Sequence, residues 1–124
     1  METFYDYLDL FGIGENTGID FAGEQAGMLV PEASVTAGDL ARIGFGQTIA
    51  VTPLQLITAV SCAVNGGLLM KPYLVREIRS GEMTAARFTP SVRNRAVSEE
   101  TSRNLALMLE DVVKNGSGKQ AYIE

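Results

Sequence analysis

The stretch that decides the fold covers residues 44–67 and reads GFGQTIAVTPLQLITAVSCAVNGG. It carries no formal charge, although 20% of the residues in the chain are charged. Thr52 is a good helix N-cap, Pro53 suits the first helical position, and Gln55 completes a capping box. Apolar side chains then cover almost the whole circumference. We therefore expect a helix over residues 53–65 that is buried on all sides or lies against a partner.

Toward the C-terminus the pattern predicts a hairpin and a second long helix. Residues 73–78 alternate as in a strand, and a turn over 79–82 leads into a second strand, which gives a hairpin over about 73–88. Another short strand is expected at 93–97. Ser98 caps a helix over about 98–114, with acidic residues in its first turn that complement the helix dipole. Mixed helices and hairpin strands are typical of the α+β class.

The N-terminal third is less regular. Apolar residues at helical spacing predict a short helix over 2–11, which ends at a glycine. Glycines and turn-forming residues follow, so residues 12–27 are interpreted as a loop with one extended piece at 18–21. Residues 29–39 are also expected to be a loop, and residues 39–43 a single helical turn.

Composition limits the possible functions. The 124 residues make one domain or a piece of one, and the net charge of −5 argues against nucleic-acid binding. The ten lysines and arginines are scattered along the sequence. Without histidine the chain has no His-based catalysis or metal ligation. The single cysteine, Cys62, excludes an intrachain disulfide and is expected to be a small buried core residue. No apolar run is continuous enough to cross a bilayer.

Three stretches of the sequence suggest chemistry, and each has a plainer structural interpretation. No serine is followed three positions later by lysine, so the Ser-x-x-Lys nucleophile is absent from the sequence. The tail NGSGKQ resembles a phosphate loop, but its spacing is wrong and it follows a helix. Glu15, Asp20 and Glu24 share one loop, and a solvated loop explains them better than calcium binding. We expect no catalytic residue, no cofactor and no metal site in this chain.

Three longer stretches together resemble one family. They read FYDYLDLFGIGENTGIDFAGEQAG from residue 4, IGFGQTIAVTPLQLITAVSCAVNGGLLMKPYLVREI from residue 43, and VSEETSRNLALMLEDVVKNGSGKQAYIE from residue 97. They are similar to the class B high-molecular-weight penicillin-binding proteins of division, elongation or sporulation type. GFGQ followed by VTPLQL and NGG is specific to that family. The resemblance implies a partial transpeptidase domain of the serine β-lactamase-like fold, with residues 1–124 as a single fragment.

The resemblance also implies a function for the whole protein. Such parents are D,D-transpeptidases that cross-link peptidoglycan stem peptides through an acyl-serine intermediate and are acylated by β-lactams. They are anchored by one N-terminal membrane helix, with the catalytic domain outside the cytoplasmic membrane. This chain matches the part between the Ser-x-Asn and Lys-Thr-Gly motifs. It therefore lacks the nucleophile, and we expect it to be inactive by itself.

Two residues are implied to lie near the substrate. In relatives the loop that matches GFGQ approaches the active site, so Gln47 is a candidate wall residue of the substrate cleft. Thr48 is a weaker candidate, because the family usually has glycine there and the loop is expected to differ in shape. The alternative for Gln47 is that it only holds its own loop by hydrogen bonds.

Two interpretations of the chain remain open from the sequence. The first is a fragment whose partner is the rest of the transpeptidase domain. The second is a stand-alone binding or assembly module that has lost catalysis and kept the scaffold. In either case the apolar helix lacks part of its cover, so we expect the isolated chain to self-associate.

Overall fold

The computed structural model describes residues 2–123. Met1 and Glu124, which belong to the expected 1–124 fragment, lie outside the described residues. The described part contains four α-helices and two short 3-10 helices at residues 32–34 and 119–121. The α-helices are α1 (Glu2–Leu10), α2 (Ala37–Gly44), α3 (Pro53–Val64) and α4 (Glu99–Lys114).

The strands form three separate antiparallel pairs within residues 2–123: β1 with β2, β3 with β6, and β4 with β5. Each pair is a two-stranded sheet, and helices are interspersed among them, as the predicted α+β class requires. The strands are β1 (Met28–Leu29), β2 (Ile49–Ala50), β3 (Leu68–Lys71), β4 (Glu77–Ser80), β5 (Met83–Arg87) and β6 (Ser91–Arg95).

The two best-signalled helices lie where the sequence predicts them. In α3 the hydroxyl of Thr52 accepts from the Gln55 N–H at 3.1 Å, and the Gln55 side chain accepts from the Thr52 N–H at 2.8 Å. This is the expected capping box. In α4 the Ser98 hydroxyl accepts from the Thr101 N–H at 3.0 Å. Both helices begin where a local side-chain cap satisfies an otherwise unpaired N–H group.

The N-terminal expectations needed correction. Residues 18–21 are irregular and not extended. The predicted loop at 29–39 begins inside β1, and α2 already starts at Ala37. That earlier start has a local cause, because Thr36 and Asp39 form a second capping box.

The strand boundaries were also wrong in part. The first hairpin strand is Glu77–Ser80 and not 73–78, because the Asp20 carboxylate accepts from the N–H groups of Leu74 and Val75 and fixes residues 72–76 as a connection. The last strand is Ser91–Arg95, two residues earlier than predicted. Its partner β3 was not predicted at all. The hairpin turn, predicted over 79–82, covers only residues 81–82, because Arg79 and Ser80 still pair within β4.

The interior consists of two small clusters. Tyr5, Val35 and Ile43 form one between α1 and α2, where the Tyr5 hydroxyl donates to the Val30 carbonyl at 2.7 Å. Cys62 and Leu69 centre the other with Ala96. Cys62 is fully buried, which confirms its prediction as a core residue.

Of the two arrangements expected for α3, burial on all sides does not occur in this chain, and a face that lies against a partner stays a prediction. Only Gln55 and Cys62 of that helix are fully enclosed. Four apolar side chains form an exposed face on it, from 43% to 60% accessible: Leu56, Ile57, Val60 and Val64. Among residues 2–123 no helix has the length and apolar character needed to cross a bilayer.

Candidate functional site

The predicted cleft residues lie in an exposed segment that begins at the last residue of α2 and runs to β2, residues 44–48, called here the 44–48 loop. Main-chain groups hold its first half against the end of α2. The N–H of Gln47 donates to the Arg42 carbonyl at 2.8 Å, and the N–H of Gly46 donates to the Ile43 carbonyl at 2.9 Å. The side chains of Phe45 and Gln47 are exposed. The loop therefore has a fixed backbone and presents its side chains outward.

Helix α2 anchors that backbone through a short polar chain. The carboxylate of Asp39 accepts from the Thr36 hydroxyl at 2.6 Å and from the Thr36 N–H at 3.1 Å. It also pairs with the Arg42 guanidinium at 3.1 Å. The hydrogen bonds from Thr36 chiefly, with the charge of Arg42, hold the pKa of Asp39 below its usual value. Arg42 is thus held at the helix end that receives the Gln47 N–H.

Thr48 has a φ of +59°, the only positive φ at a non-glycine position among residues 2–123. A β-branched residue rarely adopts this left-handed conformation, whereas glycine adopts it freely. The Thr48 hydroxyl donates to the Gln47 carbonyl at 2.6 Å. The loop therefore takes a glycine-type backbone at this position in spite of its side chain.

The buried side-chain amide of Gln55 joins three segments of the chain, at Thr52, Glu15 and Ala26. Gln55 is 1% exposed, and its side-chain N–H₂ group donates to the carbonyls of Glu15 at 2.7 Å and Ala26 at 2.9 Å. The sequence predicted its capping role toward Thr52. It could not show the other two contacts, because they join residues 40 and 29 positions apart.

The three loop carboxylates that were weighed for calcium each engage protein donors. Glu24 accepts from the Thr17 N–H at 2.7 Å, from the Thr17 hydroxyl and from the Gly18 N–H. Burial opposes ionisation there, yet these hydrogen bonds outweigh it and lower the pKa of Glu24. Glu15 pairs with Arg93 at 2.8 Å, and Asp20 binds the connection after β3. Within residues 2–123 no three acidic or thiol side chains are grouped for a metal ion.

An apolar groove at the start of α3 lies away from the predicted cleft residues. It has a volume of about 450 Å³ and lies between the 19–25 segment, the start of α3 and Leu74. Phe21 and Leu54 are among its apolar walls. Gln47 and Thr48 do not line it. The structure therefore does not bring the two predicted cleft residues into a closed pocket of this chain.

Cys62 is the one thiol in the chain. It is fully buried, and burial raises the pKa of its thiol. Because the thiolate is the nucleophilic form, Cys62 is unsuited to covalent catalysis.

Comparison with known proteins places the chain in a family. Residues 1–123 match the penicillin binding protein transpeptidase domain. Stage V sporulation protein D of Bacillus subtilis is 40% identical over 125 residues, which cover 99% of this chain and 19% of the relative. Peptidoglycan D,D-transpeptidase MrdA of Salmonella typhimurium is 30% identical, over 93% of this chain and 20% of the relative.

Solved structures agree with the sequence matches. The crystal structure of penicillin binding protein 3 from Mycobacterium tuberculosis complexed with ampicillin superposes with a TM-score of 0.83 at 28% identity, over 91% of this chain and 25% of that one. The chain thus spans about a fifth of the length of the curated relatives it matches. From the match over residues 1–123 and from the shared fold, the chain belongs to the penicillin binding protein transpeptidase domain family.

Proposed function

We propose that this chain is a segment of a peptidoglycan D,D-transpeptidase that cross-links stem peptides through an acyl-serine intermediate and is acylated by β-lactams. The observation that carries the proposal is the family match along residues 1–123, together with the similarity to a protein named as a D,D-transpeptidase. The solved structure of a relative with ampicillin supports the β-lactam part.

Within that enzyme the segment supplies scaffold and not the nucleophile. None of its serines has a lysine three positions later, so the chain has no Ser-x-x-Lys pair to form the acyl-enzyme. By itself the chain is inactive. The remaining parts of the transpeptidase domain are its partner, and the parent carries a membrane anchor that places the catalytic domain outside the cytoplasmic membrane.

The 44–48 loop is the part of the segment that faces the substrate. Gln47 forms the cleft wall with its exposed amide, which can donate to and accept from a peptide group. Thr48 follows Gln47 and extends the same wall of the cleft. Support comes from the fixed backbone under an exposed side chain, since a binding residue works best when its support is rigid.

Labelling with a fluorescent penicillin tests this function. The chain alone should form no covalent adduct, whereas an intact transpeptidase that contains the segment should be labelled at its serine. Replacing Gln47 by alanine in the intact enzyme should slow acylation by roughly tenfold, about the effect of losing one hydrogen bond to the substrate. A stable adduct on the isolated chain, or an intact enzyme that is not labelled, would contradict the proposal.

The isolated chain also self-associates through its uncovered apolar surface. The exposed face of α3 continues into a groove of about 570 Å³ between α3, α4 and the C-terminal tail, lined by Val64, Leu109 and Tyr122 among others. Burying apolar area yields about 25 cal/mol per Å², so covering this face by a second copy is favourable. In the whole enzyme the rest of the domain takes that place.

A further inference from the structure

The 44–48 loop is held at its two ends by different elements. Its first end is bonded to α2, as described above. Its second end runs directly into β2, which pairs only with β1 among residues 2–123: Met28 lies opposite Ala50, and Leu29 lies opposite Ile49. The position of β1 therefore determines the direction in which the chain leaves the loop and enters β2.

Gln55 holds the chain just before strand β1. The carbonyl of Ala26, two residues before β1, accepts from the Gln55 side chain at 2.9 Å. Gly27 stands between Ala26 and β1 and has a φ of +74°. A Cβ on Gly27 would collide with the Ala50 carbonyl and lie 3.1 Å from the Gln55 side-chain oxygen. Gly27 thus lies directly against the Ala50 carbonyl at the end of β2 and next to the Gln55 side chain.

The amide of Gln55 is also fully used. Its oxygen accepts from the Thr52 N–H at 2.8 Å, and its nitrogen donates to two carbonyls, of Glu15 and Ala26. A buried amide that makes three hydrogen bonds is held rigidly, and removing its N–H groups takes a donor away from the carbonyls of Glu15 and Ala26. A helix cap alone needs only the oxygen, so the two N–H contacts serve another purpose.

We propose that Gln55 is a positioning residue for the 44–48 loop: it fixes β1, β1 fixes β2, and β2 fixes the direction of Thr48 and Gln47. This inference rests on the proposed cleft role of the loop for its enzymatic meaning. Its structural content concerns this chain alone. Gln55 touches no substrate and acts through the β1–β2 pair.

Two substitutions separate the roles of the amide. Gln55→Glu keeps an oxygen for the Thr52 N–H and, when ionised, has no donor for Glu15 and Ala26. Gln55→Met keeps the length and removes every hydrogen bond. The matched control is Thr58→Val on the same helix, which removes a hydroxyl that donates only to the Leu54 carbonyl at 2.7 Å. The control weakens α3 without touching β1.

Hydrogen exchange in the 124-residue chain gives the first readout. We expect both Gln55 variants to speed exchange over residues 47–50 by about tenfold or more, while Thr58→Val leaves that segment as in the unchanged chain. A Phe45→Trp reporter gives the second. Phe45 is 67% exposed and the chain has no tryptophan, so the anisotropy of this single probe reports loop motion. It should fall in the Gln55 variants only.

The inference is overturned if exchange over 47–50 changes no more in either Gln55 variant than in Thr58→Val, or if the loop anisotropy is unchanged in a folded Gln55→Glu protein. Circular dichroism establishes that each variant is folded.

A separate measurement addresses the enzyme. In an intact transpeptidase that contains the segment, Gln55→Glu should lower the rate of acylation by penicillin more than Thr58→Val does. If the loop loosens and acylation is unaffected, the positioning by Gln55 stands and the cleft role of the loop fails.

Discussion

At the scale of single residues, Thr48 combines an unfavourable backbone with an exposed position. Its φ of +59° is the conformation of a glycine, and its hydroxyl bonds only to the neighbouring carbonyl. A residue held in a sparsely populated region stores about 1–3 kcal/mol, and such strain clusters at functional positions. A glycine at position 48 could keep the same backbone conformation without the strain, so stability can be changed there without changing the shape of the loop.

Replacing Thr48 by glycine should therefore stabilise the chain. Relief of the strain outweighs the extra freedom that glycine gives the unfolded state, so we expect the free energy of unfolding to rise by about 1 kcal/mol. Urea titration measures the change. Thr89→Gly is the control, because Thr89 is exposed and its φ is not positive, and it should lower stability slightly. Equal effects of the two substitutions would show that Thr48 is not strained.

Asp20 makes stability depend on pH. The N–H groups of Leu74 and Val75 donate hydrogen bonds to the Asp20 carboxylate. These bonds, the one from Leu74 first, hold the pKa of Asp20 below its usual value. A carboxyl whose pKa is lowered by folding contributes stability above its unfolded pKa of about 3.9, and that stability is lost as pH falls through the folded value.

We expect Asp20→Asn to flatten the fall in the urea midpoint between neutral pH and about pH 2. It should also loosen residues 72–76, because an amide oxygen replaces only one of the two carboxylate acceptors. Thr84→Ala, in the β4–β5 hairpin, removes no ionisable group and is the control for a general loss of stability. An Asp20→Asn curve parallel to that of the unchanged chain would count against this linkage.

At the scale of elements, the end of α3 meets the start of β3 at a glycine that admits no side chain. Gly67 has a φ of +83°, and a Cβ there would collide with the Val97 carbonyl. Its own carbonyl accepts from the Ala96 N–H at 2.8 Å, which begins the β3–β6 pairing. The close approach of the two backbones thus requires glycine.

Gly67→Ala should lower the free energy of unfolding by more than Gly23→Ala. Gly23 has nearly the same φ, +86°, and no atom lies within 4 Å of where its Cβ would be. The alanine at 23 reports the backbone term alone, so the difference between the two variants measures the collision, expected at about 1–3 kcal/mol. Thermal or urea unfolding gives both values, and a difference near zero would contradict the proposed contact.

Helix caps are local signals and predict α3 and α4, whereas strand β3 depends on a distant partner and has no such signal. The caps of α3 and α4 lie within three residues of the helix start, so Thr52 and Ser98 could be recognised from the sequence. Strand β3 reads LLMK, three apolar residues in a row without alternation, and its pairing with β6 makes it a strand. The start of α2 had a usable signal in Thr36 and Asp39 that was interpreted as loop.

At the scale of the whole molecule, the exposed apolar face of α3 governs behaviour in solution. We expect the isolated chain to form dimers, and the double substitution Ile57→Glu with Val60→Glu to return it to a monomer. Both side chains are about half exposed, so the fold should tolerate the change. Sedimentation equilibrium measures the distribution.

Met83→Glu is the control for that experiment. Met83 is 76% exposed in the β4–β5 hairpin, away from α3, and its substitution should leave the dimer intact. A chain that is monomeric at high concentration without any substitution would rule out self-association. A dimer abolished equally by Met83→Glu would place the contact on the hairpin.

The candidate site shows the same limit of sequence reasoning as the elements. Gln47 and Thr48 could be proposed from the family resemblance, and the structure places both in one exposed loop. The supports of that loop could not be found, because Arg42 acts through its carbonyl and Gln55 through contacts far along the chain. Main-chain acceptors have no signature in the sequence.

The long-range contacts of Gln55 also bear on the order in which parts of the chain fold. The β4–β5 hairpin closes across a two-residue turn and α4 is local, so both can form early. The bond from Gln55 to Glu15 must close a loop of 40 residues, and the entropy of closure delays it. We therefore expect the 44–48 loop to be among the last parts of the chain to fold and among the first lost when it unfolds. A newly made chain would then acquire its scaffold before the proposed cleft wall.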